Sequence, residues 1–211
     1  MNPMDAMQLN GRIVVITGAL GALGRSVAEA AVAAGATVVA VDRVDGVPPR
    51  GAQSWPALDL GDAPATQAAL AAIAARYGRI DALVNIAGGF RWETLADGAV
   101  ETWDLLYQMN VRTAVHACRA ALPHLPAGGR IVNIGAAGAV KAAAGMGAYA
   151  ASKAGVARLT EALAEELKAR DITVNAVLPS IIDTPTNRAD MPDADYSRWV
   201  TPQALAEVIL F

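Results

Sequence analysis

The sequence of 211 residues contains a single cysteine, Cys118, so no disulfide can form within the chain. It sits in the apolar segment AVHACRAAL, which shows no setting that would acidify a thiol, and reads as a small packing residue rather than a nucleophile. Histidine is almost as scarce. His116 and His124, eight positions apart with no further Cys, Asp or Glu at ligand spacing, supply no metal site. Basic excess is missing too: 17 Lys and Arg against 20 Asp and Glu leave a net charge of -3, which gives nucleic acid no electrostatic footprint. Although 54% of residues are hydrophobic, Arg25, Glu29, Lys141 and Lys153 interrupt the alanine- and glycine-rich tracts, and no stretch reads as a membrane span. The first ten residues, MNPMDAMQLN, have neither a basic start nor an apolar core of leader length, and the expected location is the cytoplasm.

What the chain does have is alternation. Short runs rich in β-branched residues occur at 12–17 (RIVVIT), 37–42 (TVVAVD), 81–87 (DALVNIA), 130–135 (RIVNIG) and 172–179 (ITVNAVLP), with a weaker one at 54–59 (SWPALD). They are too short for buried helices and too apolar for a sheet with one wet face. Between them lie stretches with apolar residues at helical spacing, several closed by glycine. The pattern predicts an α/β fold: a doubly wound parallel sheet in three layers, as one domain over residues 1–211. The last segment, TPQALAEVILF, starts like a helix at Thr201 and Pro202 and stops in apolar residues, so a further strand is expected beyond Phe211.

Directly after the first run comes TGALGALG, with glycines at 18, 21 and 24. Glycine permits positive φ and lets backbone N–H groups approach a diphosphate at the start of the next helix. A glycine triplet alone can be mere tight packing, but placed between strand and helix it points to a dinucleotide. Asp42 closes the second strand at the spacing where a carboxylate accepts from the adenosine ribose and repels a 2'-phosphate, whereas the adjacent Arg43 can pair with that phosphate. NAD is therefore expected ahead of NADP.

Together with Asn85 to Gly88 (NIAG), Asn110, Tyr149 to Lys153 (YAASK) and the run leading to Pro179, this turn resembles the short-chain dehydrogenase/reductase family, from about residue 11 to the end. The resemblance implies strand order 3-2-1-4-5-6-7, of which this chain stops before the seventh. It also implies cofactor contacts from Gly18, Leu20, Gly21, Ala22, Leu23 and Gly24 in the turn, from Asp42 and Arg43, and from Asp59 and Leu60 near adenine. Asn85, Ala87 and Gly88 would line the cleft, with Tyr149, Lys153, Pro179, Ile182 and Thr184 toward the nicotinamide.

Tyr149 and Lys153, four apart, share one face of a helix. A phenol titrating near ~10 is a poor base, but a nearby ammonium and an oxidised nicotinamide favour the phenolate. The resemblance makes these two residues catalytic and gives Asn110 a water that extends the proton path. Its serine, thirteen residues before the tyrosine, is here Ala136, and Ser180 follows Pro179 where glycine is common. Dihydropteridine reductases, a branch of that family, also carry alanine at this position and use NADH on a quinonoid ring whose charge is delocalised. The expected activity is hydride transfer between a nicotinamide cofactor and a small carbonyl or quinonoid substrate. Ordinary alcohol/ketone chemistry of the 3-oxoacyl reductase kind, with Ser180 or water replacing the hydroxyl, and a non-catalytic NAD-binding module are the alternatives. The polar and aromatic segment 183–200 resembles a substrate lid, with Phe90 and Trp92 as an opposite wall. Helices near 100–125 and 149–169 resemble those that pair subunits as homodimers or homotetramers, with Ala117, Ala120, Ala121, Ala157 and Ala164 allowing close approach.

Overall fold

A computed structural model describes residues 8–211, so the leader reading rests in part on residues 1–7, which lie outside the described residues. Six strands form one sheet: β1 (Ile13–Thr17), β2 (Thr37–Val41), β3 (Gln53–Ser54), β4 (Ala82–Asn85), β5 (Arg130–Ile134) and β6 (Thr173–Val177). Their order is β3-β2-β1-β4-β5-β6, and each neighbouring pair runs parallel. Successive strand residues point to opposite faces. Val15, Val39, Leu83, Ile131 and Val174 accordingly enter one core, and Val14, Ile16, Val38 and Val84 the other. Both faces are apolar because both are covered.

The first core lies beneath α2 (Ala63–Tyr77), α4 (Thr113–Ala121) and α5 (Gly147–Leu167), contributing Leu70, Ile73, Ala117, Ala121 and Leu163. The second lies beneath α1 (Ala22–Ala33) and α7 (Pro202–Leu210), contributing Val27, Ala28, Leu205 and Ile209. Helix ends follow the sequence signals. Asp62 Oδ1 accepts from Ala65 N–H at 2.9 Å to cap α2, which ends at Gly78 with φ 87°. Thr201 caps α7 in the same manner, accepting from Ala204 N–H at 3.2 Å. At the foot of the sheet Asp81, 4% exposed, accepts from Ile13 N–H at 2.8 Å and from Arg12 and Arg79 at 3.0 and 2.9 Å. Burial pushes its carboxyl up, but these donors outweigh it and hold the group below the ordinary range.

Three expectations change. The weak strand expected at 54–59 pairs only at Gln53–Ser54, because Pro56 has no N–H to give the ladder. The helix expected near 100–125 is broken into α3 (Glu101–Leu106), a wide π-turn (Tyr107–Arg112) and α4. Ala117, Ala120 and Ala121 are buried under the chain's own sheet and cannot line a contact with another subunit. Ala157 does reach the surface, in a groove of about 590 Å³ between α5 and the outer side of β6, where Arg158 and Glu161 pair at 2.6 Å. No helix among the described residues is long and apolar enough to cross a membrane.

Candidate functional site

The carboxyl ends of β1 and β4 meet at Thr17, whose Oγ1 accepts from the N–H groups of Ile86 and Ala87, each at 3.2 Å. The glycine turn starts from this junction, and its three glycines differ in what requires them. Gly18 has φ 65°, and a Cβ there would sit 2.8 Å from Ala87 N. A Cβ at Gly24 would overlap Gly18 O and come within 2.7 Å of Ala19 Cα. Both are demanded by packing inside the fold. Gly21 is not: it precedes α1 with φ -72° and ψ 167°, and a Cβ there meets only Gly18 O, at 3.4 Å. No side chain caps α1 and no acid sits in its first turn. The bare Gly21 edge and these uncapped N–H groups fit a diphosphate, which supplies the negative oxygens that the turn lacks.

Gly21→Ala is therefore expected to leave the thermal midpoint nearly unchanged while weakening dinucleotide binding ~10-fold or more, because the methyl occupies only the approach path. Calorimetry beside a melting curve checks this. Equal affinity in both proteins would show that the turn is bare for another reason.

Asp42 is already engaged. Its Oδ2 accepts from Leu20 N–H at 3.0 Å and its Oδ1 from Arg43 N–H at 2.8 Å, tying the turn to the end of β2. Each oxygen keeps a second lone pair for a ribose hydroxyl. Arg43 is exposed beside it. Ala22 and Leu23 open α1, and the ring of the turn is held by Arg25, which donates to Leu20 O and Val47 O at 3.0 Å each.

Several residues given to the cofactor present only backbone. Leu60 is 5% exposed in the first core, and its carbonyl lies 2.8 Å from His116 Nδ1. Asn85, 5% exposed, turns its side chain away from the cleft: Nδ2 donates to Asn133 Oδ1 at 2.8 Å and to Cys118 Sγ at 3.3 Å. These side chains face the core because a strand end alternates, and the sequence positions alone do not show which way each points. Cys118 is a buried packing residue, its thiol pushed up to about 12 by burial. Asp59 is exposed and accepts from Gly61 N–H at 2.8 Å. Ala87 lies against Gly18 of the turn, and Gly88 beside Asn110 and Lys153. Pro179 O accepts from Ala137 N–H at 2.8 Å, Ile182 is half-buried, and Thr184 Oγ1 caps the short helix α6 (Pro185–Asp190) by accepting from Asn187 N–H at 3.1 Å.

On α5, Tyr149 and Lys153 stand one turn apart as expected, but they are not hydrogen-bonded to each other. Lys153, 7% exposed, gives Nζ to Ile134 O at 2.8 Å. The Tyr149 ring meets Phe90 edge-on, centroids 4.9 Å apart at 81°. Burial raises the phenol and lowers the lysine to about 8, since both charged forms are poorly solvated there. Burial alone acts to keep the phenol protonated, which suits proton donation, while the shift toward phenolate expected beside an oxidised nicotinamide belongs to the opposite reaction direction.

Asn110, 2% exposed within the π-turn, is bound on every side. Its Oδ1 accepts from Gly89 N–H at 2.8 Å, and its Nδ2 donates to Gly89 O at 3.1 Å and to Ser152 Oγ at 2.9 Å. Both amide hydrogens are committed to the protein, so the side chain acts as a clamp, and the second lone pair of Oδ1 is what it has left to offer a water. Ser152, 4% exposed, completes the clamp by donating to Tyr149 O at 2.7 Å. Sequence reasoning passed over this residue, although it lies inside YAASK. A Cβ on Gly88 would meet Asn110 Oδ1 at 2.5 Å and approach Lys153 Nζ at 3.6 Å, so the glycine lets these groups converge. Across the cleft, Trp92 Nε1 donates to Ala144 O at 3.0 Å and its indole lies against Gly145, which fixes the wall that carries Phe90. Ala136 is 7% exposed and extended, with no hydroxyl to offer.

Comparison with known proteins accords with this geometry. The profile described as short chain dehydrogenase matches residues 12–195. A 3-oxoacyl-[acyl-carrier-protein] reductase of Thermotoga maritima is 31% identical over 226 aligned positions, 97% of this chain and 91% of that protein. A D-threitol dehydrogenase of Mycolicibacterium smegmatis is 34% identical, covering 84% of this chain and 72% of its own. A solved short chain dehydrogenase of Burkholderia cenocepacia in complex with NADP superposes with TM-score 0.84 at 30% identity, covering 97% of this chain and 91% of that one. With that profile over most of its length and relatives at 30% identity or more across nearly the whole chain, the protein belongs to the short-chain dehydrogenase/reductase family and is an oxidoreductase.

Proposed function

We propose that this protein is a nicotinamide-dependent reductase of a small ketone, of the 3-oxoacyl kind, in which Tyr149 is the proton donor. The observation that carries the reading is the placement of Tyr149: its ring packs edge-on against Phe90, its backbone carbonyl accepts from Ser152 of the Asn110 clamp, and it stands one helical turn from the buried Lys153. When bound, the nicotinamide coenzyme supplies the hydride. The chain's own residues do the rest. The glycine turn holds the diphosphate against α1, with Asp42 and Arg43 at the adenosine ribose. Ala87, Gly88, Pro179, Ile182 and Thr184 border the nicotinamide end. Tyr149 transfers its hydroxyl proton to the carbonyl oxygen as the carbon is reduced, and the Lys153 ammonium stabilises the phenolate left behind.

Two of the curated relatives described above are a reductase of oxo groups and a dehydrogenase of an alcohol, which supports ketone chemistry over the dihydropteridine-like reading. That second reading keeps one observation in its favour, Ala136. NAD loses its expected priority: Asp42 is partly engaged in holding the turn, Arg43 stands exposed, and a structural relative carries NADP. A homodimer or homotetramer is the proposed assembly.

The test is oxidation of NADH and NADPH by the purified protein with a 3-oxoacyl thioester, a simple ketone and a quinonoid dihydropterin. Turnover of the oxo compounds is expected. Turnover of the dihydropterin alone would install the second reading, and tight coenzyme binding with no turnover would leave a binding module.

A further inference from the structure

The stretch from Asp183 to Val200 is organised around one cation. Arg188 on α6 gives Nε to Asp183 Oδ1 at 2.6 Å and Nη2 to Asp183 Oδ2 at 2.8 Å, a two-point fork. The Tyr196 ring lies 4.6 Å from the guanidinium and 4.7 Å from the ring of Trp199, and its hydroxyl donates to Pro192 O at 2.9 Å. At the feet of the stretch, Asp183 N–H donates to Val200 O at 2.8 Å and Val200 N–H to Ile181 O at 3.0 Å. The stretch closes on itself more than on the sheet.

A cavity of about 500 Å³ opens between this stretch, α1 and α7, lined by Ala22 and Ser26, Thr184, Thr201 and the Asp183–Arg188 pair. Among the described residues these two are its only charged lining groups. Ala22 is the first residue of α1, adjoining the bare Gly21 edge, so the guanidinium and the uncapped helix start face the same space.

Resting on the coenzyme reading given above, we propose that Arg188 is a clamp for the coenzyme diphosphate, held in reserve by Asp183 until the dinucleotide arrives. A guanidinium forks onto phosphate oxygens as well as onto a carboxylate, and a diphosphate offers more negative charge than Asp183 does. The Arg188 side of the fork is 51% exposed and Asp183 19%, so solvent reaches the guanidinium and can take its place on the carboxylate when it leaves. Arg188 leaves Asp183, turns on α6 and draws the Asp183–Val200 stretch over the cleft. Asp183 is therefore a competitor of the coenzyme for one cation, and the two residues have opposite effects.

The probes are ADP-ribose, which carries the diphosphate, and adenosine, which does not, titrated calorimetrically into the full chain. Arg188→Gln is expected to weaken ADP-ribose ~10-fold or more and to leave adenosine unchanged, the loss being one charge-assisted fork. Asp183→Asn, which keeps the guanidinium, is expected to tighten ADP-ribose several-fold. Should Arg188→Gln melt early, Asp183→Asn alone decides. Equal ADP-ribose affinity in the wild type and both variants overturns the clamp and leaves the coenzyme reading intact. Absence of ADP-ribose binding by the wild type removes that reading, and the clamp with it.

Discussion

Tyr149→Phe is expected to lower kcat by ~10²–10⁴-fold, the range for losing a positioned proton donor, with coenzyme affinity unchanged. The change removes one oxygen that makes no hydrogen bond among the described residues, while the ring keeps its edge-on contact with Phe90. Stability should be the same. The pH profile separates chemistry from mere packing. Burial raises Tyr149, so the phenol stays protonated through neutral pH, whereas burial lowers Lys153 to about 8. Reduction needs the protonated phenol and the charged lysine. The free protein's kcat/KM for reduction should accordingly be level below pH 8 and fall above about 8 as Lys153 loses its proton. If Tyr149→Phe turns substrate over at the wild-type rate, Tyr149 has no part in the reaction.

Ala136→Ser is expected to raise turnover of simple ketones by up to ~10²-fold, the reverse of deleting a donor aimed at a developing oxyanion. The site accepts the change without backbone adjustment: Ala136 is extended, with φ -158° and ψ 146°, and serine adds a single oxygen. A quinonoid substrate, whose charge does not gather on one oxygen, should gain nothing. The ratio of the two responses measures how far the wild-type pocket is adapted to each. A variant that accelerates neither would mean that another donor already serves the carbonyl, and that the alanine is neutral.

The sheet was legible because its strands are buried on both faces, so β1 reads as an unbroken β-branched run and β2 and β5 as short runs rich in such residues. The glycine turn and the Tyr149–Lys153 pair were legible for a similar reason, each being a local pattern with a local cause. What escaped was set by distant partners. Nothing near Asn110 signals a π-turn, because that turn is held by Gly89 and Ser152, 21 and 42 residues away. The orientation of Asn85 and Leu60 into the core, and of Ala117 and Ala121 under the sheet, depends on which side of an element meets the core. Ser152 was visible in the motif but silent, since a hydroxyl acquires a role only from what donates to it. How strongly burial opposes the charged forms of Tyr149 and Lys153 was not legible either, because their separation in sequence says nothing of how dry both groups are.

The wide turn at Tyr107–Arg112 also fixes the length of this part of the chain. An α-helix advances about 100° per residue, so one surplus residue in a helical rod rotates everything beyond it by that amount. Here α3 buries Thr102 and Leu106, the wide turn buries Asn110 and Val111, and α4 buries Ala114, Ala117 and Cys118. That register is kept only while the surplus is. Shortening the rod by one residue would restore a regular spiral and swing either the asparagine off its glycine or the alanines off the sheet. Length variation among relatives should therefore collect in surface loops and avoid this rod.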